Sequence, residues 1–121
     1  MPMDDNELMR RADTRYYTGF RPLGEATGPV QVYWHEGQSH GELPLHLELW
    51  NHSPDGFNWG YGGSGPAQLA LALCHDLLGN AGRALDAHQI VKRELVSHFP
   101  HHCWILSGGS LLDLINTVEG S

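Results

Sequence analysis

The chain has 121 residues, with 14 Asp and Glu against 7 Lys and Arg and a formal charge of -7 at pH 7. This length gives a single domain that closes a core without disulfides or a structural metal, and the shortage of Lys and Arg argues against direct binding of a nucleic-acid backbone. No run approaches the roughly 20 apolar residues that span a bilayer, and the start lacks an apolar signal region, so no membrane association and a cytoplasmic location are expected.

Residues 1–14 are polar and charged around Leu8 and are expected to form a flexible or short-helical arm ahead of a single domain over 15–121. Tyr16, Tyr17 and Phe20 make a first strand-like patch, followed by the turn signals Arg21-Pro22-Leu23-Gly24 and Gly28-Pro29. From Val30 to His35 the residues alternate, with Val30, Val32 and Trp34 on one face and Gln31, Tyr33 and His35 on the other, as in a half-buried strand. Residues 37–41 read as a turn and residues 43–52 as a second strand. Leu45, Leu47 and Leu49 then point one way and His46, Glu48 and Trp50 the other, completing an antiparallel hairpin.

The cluster Asn51-His52-Ser53-Pro54-Asp55-Gly56 is a turn, and Phe57, Trp59 and Tyr61 suggest one more short strand. Pro66 stands where a first helical residue belongs. The helix expected over 67–78 is apolar almost all round, with Gln68, His75 and Asp76 at its wet edge. A second helix is expected over 83–98, ended by Pro100. Residues 103–106 read as a buried strand, which makes Cys103, like Cys74, a reduced core thiol. Ser110 and Asp113 have capping-box spacing before the last apolar stripe, Leu111, Leu114, Ile115 and Val118. The order implies an α+β fold, a small antiparallel sheet of three to five strands with two or three helices packed on one face.

The most informative local feature is the Gly-rich segment from Gly60 to Pro66. Its backbone amides at a helix start make Gly62, Gly63, Ser64 and Gly65 a candidate anion or ligand loop. No Lys or Thr follows the last glycine, so it is not a phosphate-binding P-loop, and the glycines equally serve a sharp turn onto a buried helix. Ser64 lies in a sequence that departs from the nucleophile elbow, Cys74 has no cation beside it to favour thiolate, and no catalytic set is assigned. Nine histidines invite a metal reading, above all His98, His101, His102 and Cys103. Neighbouring strand residues point to opposite faces, however, so no metal and no cofactor are expected.

Between Pro22 and Gly82 there is no Lys or Arg, while Glu36, Glu42, Glu48 and Asp55 are present. With Trp50, Trp59 and Tyr61 these carboxylates form a candidate partner-binding surface on one exposed hairpin face. His35, His46 and His52, with Tyr33, are expected on or beside it.

The run from Gly56 to Leu73, containing Trp-Gly-Tyr-Gly-Gly-Ser-Gly-Pro before a Leu/Ala-rich helix, resembles a family of small bacterial and phage proteins of unknown function. The resemblance implies an intracellular protein with no catalytic activity to carry over. The leading expectation is a noncatalytic protein-binding module, such as a mobile-element inhibitor of a host defence complex of the anti-CRISPR type, whose partner is a basic nucleic-acid-handling complex. The alternatives are a small ligand-binding or hydrolytic domain using the Gly-rich loop, which requires a histidine within reach of Ser64, and a homodimer.

Overall fold

The N-terminal arm is helical. The Asp4 carboxylate accepts from the Glu7 backbone N–H at 2.8 Å and caps α1, Asp5–Thr14. In the computed structural model, which describes residues 3–22 and 29–120, eight elements follow the order α1, β1 (Arg15–Phe20), β2 (Gln31–Glu36), β3 (Ser39–Glu42), α2 (Ser64–Leu78), α3 (Ala81–Glu94), β4 (Cys103–Ser107) and α4 (Gly108–Glu119), with a 3-10 turn at Val96–His98. The turn signals at Leu23, Gly24 and Gly28 lie outside the described residues, as does Glu25. All strand pairs are antiparallel and the sheet order is β3-β2-β1-β4. The α+β class and the strand number match the expectation, with the helices packed against the sheet.

The hairpin differs from the reading of its sequence. Ser39 pairs with Glu36 and Glu42 with Tyr33, so the turn is only Gly37-Gln38. Gly37 has φ 60, as tight two-residue hairpin turns require. Residues 43–52 are not a strand. The last ladder-like bond is Leu43 N–H to the Val32 carbonyl at 2.9 Å; Pro44 then brings no donor, and His46 takes φ 55. Leu43 and Leu49 still reach the core, but from a loop. Residues 57–61 are not a strand either, and Gly56 and Gly60 there have φ 128 and 86.

Register fixes which side of the sheet each residue faces. Arg15, Tyr17 and Gly19 of β1 stand opposite Glu36, Trp34 and Val32 of β2, and Tyr17 and Gly19 opposite Leu106 and Trp104 of β4, all toward the helices. A Cβ on Gly19 would collide with the Trp104 indole, so only glycine lets that ring lie flat across β1. Under this layer α2 supplies Leu69, Leu71, Leu73, Leu77 and Cys74, all fully buried. Burial pushes the Cys74 thiol pKa well up, which keeps it protonated and inert.

Two polar anchors tie the layers together. Asp76 accepts from Arg15 Nη1 at 2.6 Å and from the Tyr17 hydroxyl at 2.7 Å, while its backbone carbonyl accepts from Arg11 Nη2 at 2.7 Å. Arg15 also lies 4.5 Å from the Trp34 ring centroid. Burial and then the Asp76 charge drive the Tyr17 pKa far above its ordinary value. The second anchor is Gln68, fully buried instead of at a wet edge. It accepts from the His52 and Ser53 amides at 2.7 and 3.1 Å and donates to the Leu45 carbonyl at 2.6 Å, hanging the 43–58 loop from α2.

Candidate interaction face

The Gly-rich loop is folded against its own aromatic residue. A Cβ on Gly63 would stand 2.5 Å from Cε2 of Tyr61, and one on Gly65 would stand 2.7 Å from Cβ of Asn58 and 3.4 Å from the Tyr61 hydroxyl. The glycines thus give Tyr61 and Asn58 room to pack at the start of α2. Gly63 is the N-cap and makes no side-chain cap bond; Ser64 is the first helical residue and is exposed. Among the described residues no histidine hydrogen-bonds Ser64. Gly62 alone of these glycines has open space around its missing Cβ.

Trp59 is 1 % exposed and is not a surface anchor. Its indole Nε1 donates to the His101 carbonyl at 3.0 Å, its ring meets Trp104 edge-on at 5.6 Å, and the Arg21 guanidinium lies 4.8 Å from its ring centroid. The loop turns this ring inward because the indole can bury its area while meeting its one hydrogen-bond need. Tyr61, two residues on, stays half exposed.

The carboxylates do not share one face. Glu36 points to the helix side and pairs with Arg15 at 3.4 Å, whereas Glu42 lies on the opposite side of the same hairpin, opposite Tyr33. Glu48 is in the loop, where His46 Nδ1 lies 2.9 Å away and holds its carboxyl below the usual range. Asp55 is exposed in the same loop. Trp50, also in that loop, stacks on His52 at 4.7 Å and lies off the sheet.

The histidines divide in the same way. His35 is on the sheet, stacked on Tyr16 at 4.5 Å with its Nε2 2.8 Å from Thr18 Oγ1. His46 packs edge-on against His75, and His52 meets the buried His88 through an Nε2 to Nε2 contact of 3.0 Å. His88 Nδ1 is 2.7 Å from the Leu85 carbonyl and donates to it, so in a neutral pair His88 Nε2 is the acceptor and His52 Nε2 the donor. Among the described residues no group of three or more His, Cys, Asp or Glu forms a metal site.

Three of these imidazoles titrate below their ordinary value. Burial comes first for each, reinforced by His40 at His35, by His88 and Lys92 at His52, and by His46 at His75. A group with a depressed folded pKa binds protons more readily in the unfolded chain. Its stabilisation is present above the unfolded value of about 6.5 and is lost as pH falls through the folded values. Thermal melts at pH 7.5, 6.5 and 5.5 are expected to show a falling midpoint, with a shallower fall in His52→Gln. A midpoint that rises on acidification contradicts these environments.

What the helices leave uncovered is the other side of the sheet. It presents Tyr16, Thr18 and Phe20 from β1, Gln31, Tyr33 and His35 from β2, His40 and Glu42 from β3, and Cys103, Ile105 and Ser107 from β4. Ile105 is 76 % exposed, and Tyr16 and Phe20 are 41 % and 43 % exposed. The strand at 103–107 is therefore half-buried, with Trp104 and Leu106 inward, and Cys103 is an exposed thiol on the open face instead of a core residue. Only Glu42 is charged among these eleven side chains when the histidines are neutral. The reading of alternation in β2 placed Tyr33 and His35 correctly; β1 and β4 complete the surface, and their part was not anticipated.

No helix among the described residues is long and apolar enough to cross a membrane. Comparison with curated proteins and with solved structures gives no match. Residues 17–117, which take in most of β1, the other three strands, α2, α3 and most of α4, match a family of unknown function (DUF6166), and the chain belongs to that family.

Proposed function

We propose that the chain is a noncatalytic protein-interaction module that docks through the open face of its sheet. The observation that supports this reading is the concentration of exposed apolar and aromatic side chains, Tyr16, Phe20 and Ile105, on a four-stranded surface that carries a single carboxylate among its described residues. A surface that exposes several apolar and aromatic side chains together has features of an interface. A narrower form, an inhibitor of a basic nucleic-acid-handling complex, is favoured by the charge of -7. The separation of Glu36, Glu42 and Glu48 removes the acidic face on which that form rested.

The test is a pull-down with tagged wild type, Ile105→Glu and Met9→Glu, each checked for folding by circular dichroism. Met9 is 59 % exposed on α1, away from the sheet, and serves as the control. The expected result is a protein partner, which includes an untagged copy of the chain, held by wild type and Met9→Glu and lost from Ile105→Glu. The same proteins retained by all three baits would overturn the reading.

A further inference from the structure

We infer that the 43–58 loop is latched to the helices by two histidine pairs, His46 with His75 on α2 and His52 with His88 on α3, and that proton uptake by these pairs releases the loop while the helices stay folded. Each pair joins the loop to a different helix. The His46 and His75 ring centroids are 4.4 Å apart, and His52 Nε2 meets His88 Nε2 at 3.0 Å. Trp50 lies between the two loop histidines in sequence and stacks on His52.

The His52–His88 contact tolerates one proton but not two. His88 Nδ1 is occupied by the Leu85 carbonyl, and its Nε2 receives His52 Nε2–H and, at 3.3 Å, the Gln89 amide. A first proton on His52 Nδ1 leaves that arrangement intact. A second, on His88 Nε2, turns the shared acceptor into a donor. Two N–H groups and two positive charges then oppose each other where His88 is 1 % exposed, and Lys92 on α3 adds a further positive charge beside His52. The His46–His75 contact acts through charge, since two imidazolium rings packed edge-on repel. Glu48 from the loop, 2.9 Å from His46 Nδ1, and Asp76 from α2 offset part of that repulsion, although Asp76 is already engaged by Arg15 and Tyr17.

The Gln68 anchor is indifferent to acid. Its bonds to the His52 and Ser53 amides and to the Leu45 carbonyl involve no titratable group. Residues 46–50, with Trp50, can therefore come away while the loop stays tied to α2 at those points. His52 and His75 resist protonation in the closed loop, each chiefly through burial, and bind protons more readily once it opens. Opening is thus favoured as pH falls below about 6.5.

The experiment is an NMR titration of the full chain from about pH 7.5 to 5.0, for wild type and for His46→Asn combined with His52→Gln. Asn tolerates the left-handed backbone of His46, at φ 55, and Gln keeps a donor toward His88, so the double variant is expected to fold. If circular dichroism shows it unfolded, His52→Gln alone carries the comparison. Wild type is expected to lose protection of the Leu49 amide, which donates to the His46 carbonyl at 3.1 Å, and to shift the Trp50 indole N–H signal, while α2 keeps its protection. The variant is expected to show a smaller change at both positions. Loop signals that hold from pH 7.5 to 5.0 overturn the inference, as does a loop transition of the same size in the variant. Loss of the loop and of α2 at one pH also overturns it, because the histidines would then report global unfolding.

Discussion

Replacing Asp76 with Ala is expected to destabilise the fold by about 3–5 kcal/mol, the cost of stranding a buried charge. The Arg15 and Asp76 side chains are 8 % and 12 % exposed and their atoms stand 2.6 Å apart. Removal of the carboxylate leaves the guanidinium with the longer Glu36 contact and the Trp34 ring, and takes away the acceptor of the Tyr17 hydroxyl. Urea denaturation should show the loss as a lower midpoint with an unchanged slope. The double replacement Arg15→Leu with Asp76→Leu is expected to be less damaging than Asp76→Ala alone, since no unpaired charge remains. If Asp76→Ala alone costs less than about 1 kcal/mol, the pair is behaving as a solvated surface bridge and this account of the sheet-to-helix junction fails.

A second large effect is expected from one methyl group at Gly108, and an opposite effect from the same methyl at Gly109. A Cβ at Gly108 would stand 2.7 Å from the Ala12 carbonyl oxygen and 2.8 Å from that of Arg15. Both obstacles are backbone at the junction of α1 and β1, so neither can rotate away. Gly108→Ala is expected to cost about 2–3 kcal/mol by overpacking. At Gly109 the nearest atom would be Ser107 Oγ at 4.0 Å, and an Ala there, early in a helix, is expected to stabilise by up to about 1 kcal/mol. Thermal melts of the two variants should therefore move in opposite directions. Equal behaviour would mean that α1 does not press against the start of α4 as described.

The elements that could be read from sequence were those whose signals agreed at more than one level. Pro66 after a glycine run and an unbroken Leu/Ala stretch specified α2 to within its first turn, and the alternation through Val32 and Trp34 gave β2 its two faces. The second hairpin strand was misplaced because leucines at 43, 45, 47 and 49 imitate a period of two while packing from a loop. Pro44 was the signal against it, as it brings no donor to a ladder. The interaction face was half legible: Tyr33 and His35 followed from alternation, but Cys103 to Leu106 is a short apolar run, which reads the same whether one face is buried or both. Trp59 and Gln68 misled in opposite ways. An aromatic residue in a polar loop suggested a surface, and a lone amide on an apolar helix suggested a wet edge, and each is buried with its hydrogen bonds satisfied by backbone distant in sequence.

The Gln68 anchor has a consequence for how the molecule opens. Amides in a long irregular loop ordinarily exchange their hydrogens with solvent quickly, since no ladder protects them. The His52 and Ser53 amides end instead on a side chain buried within the most apolar helix of the fold. Tied to that buried side chain, they are expected to exchange more slowly than the other amides of the loop around them. The 43–58 segment is irregular in shape and yet is fastened, at two of its amides, to the helix that carries it.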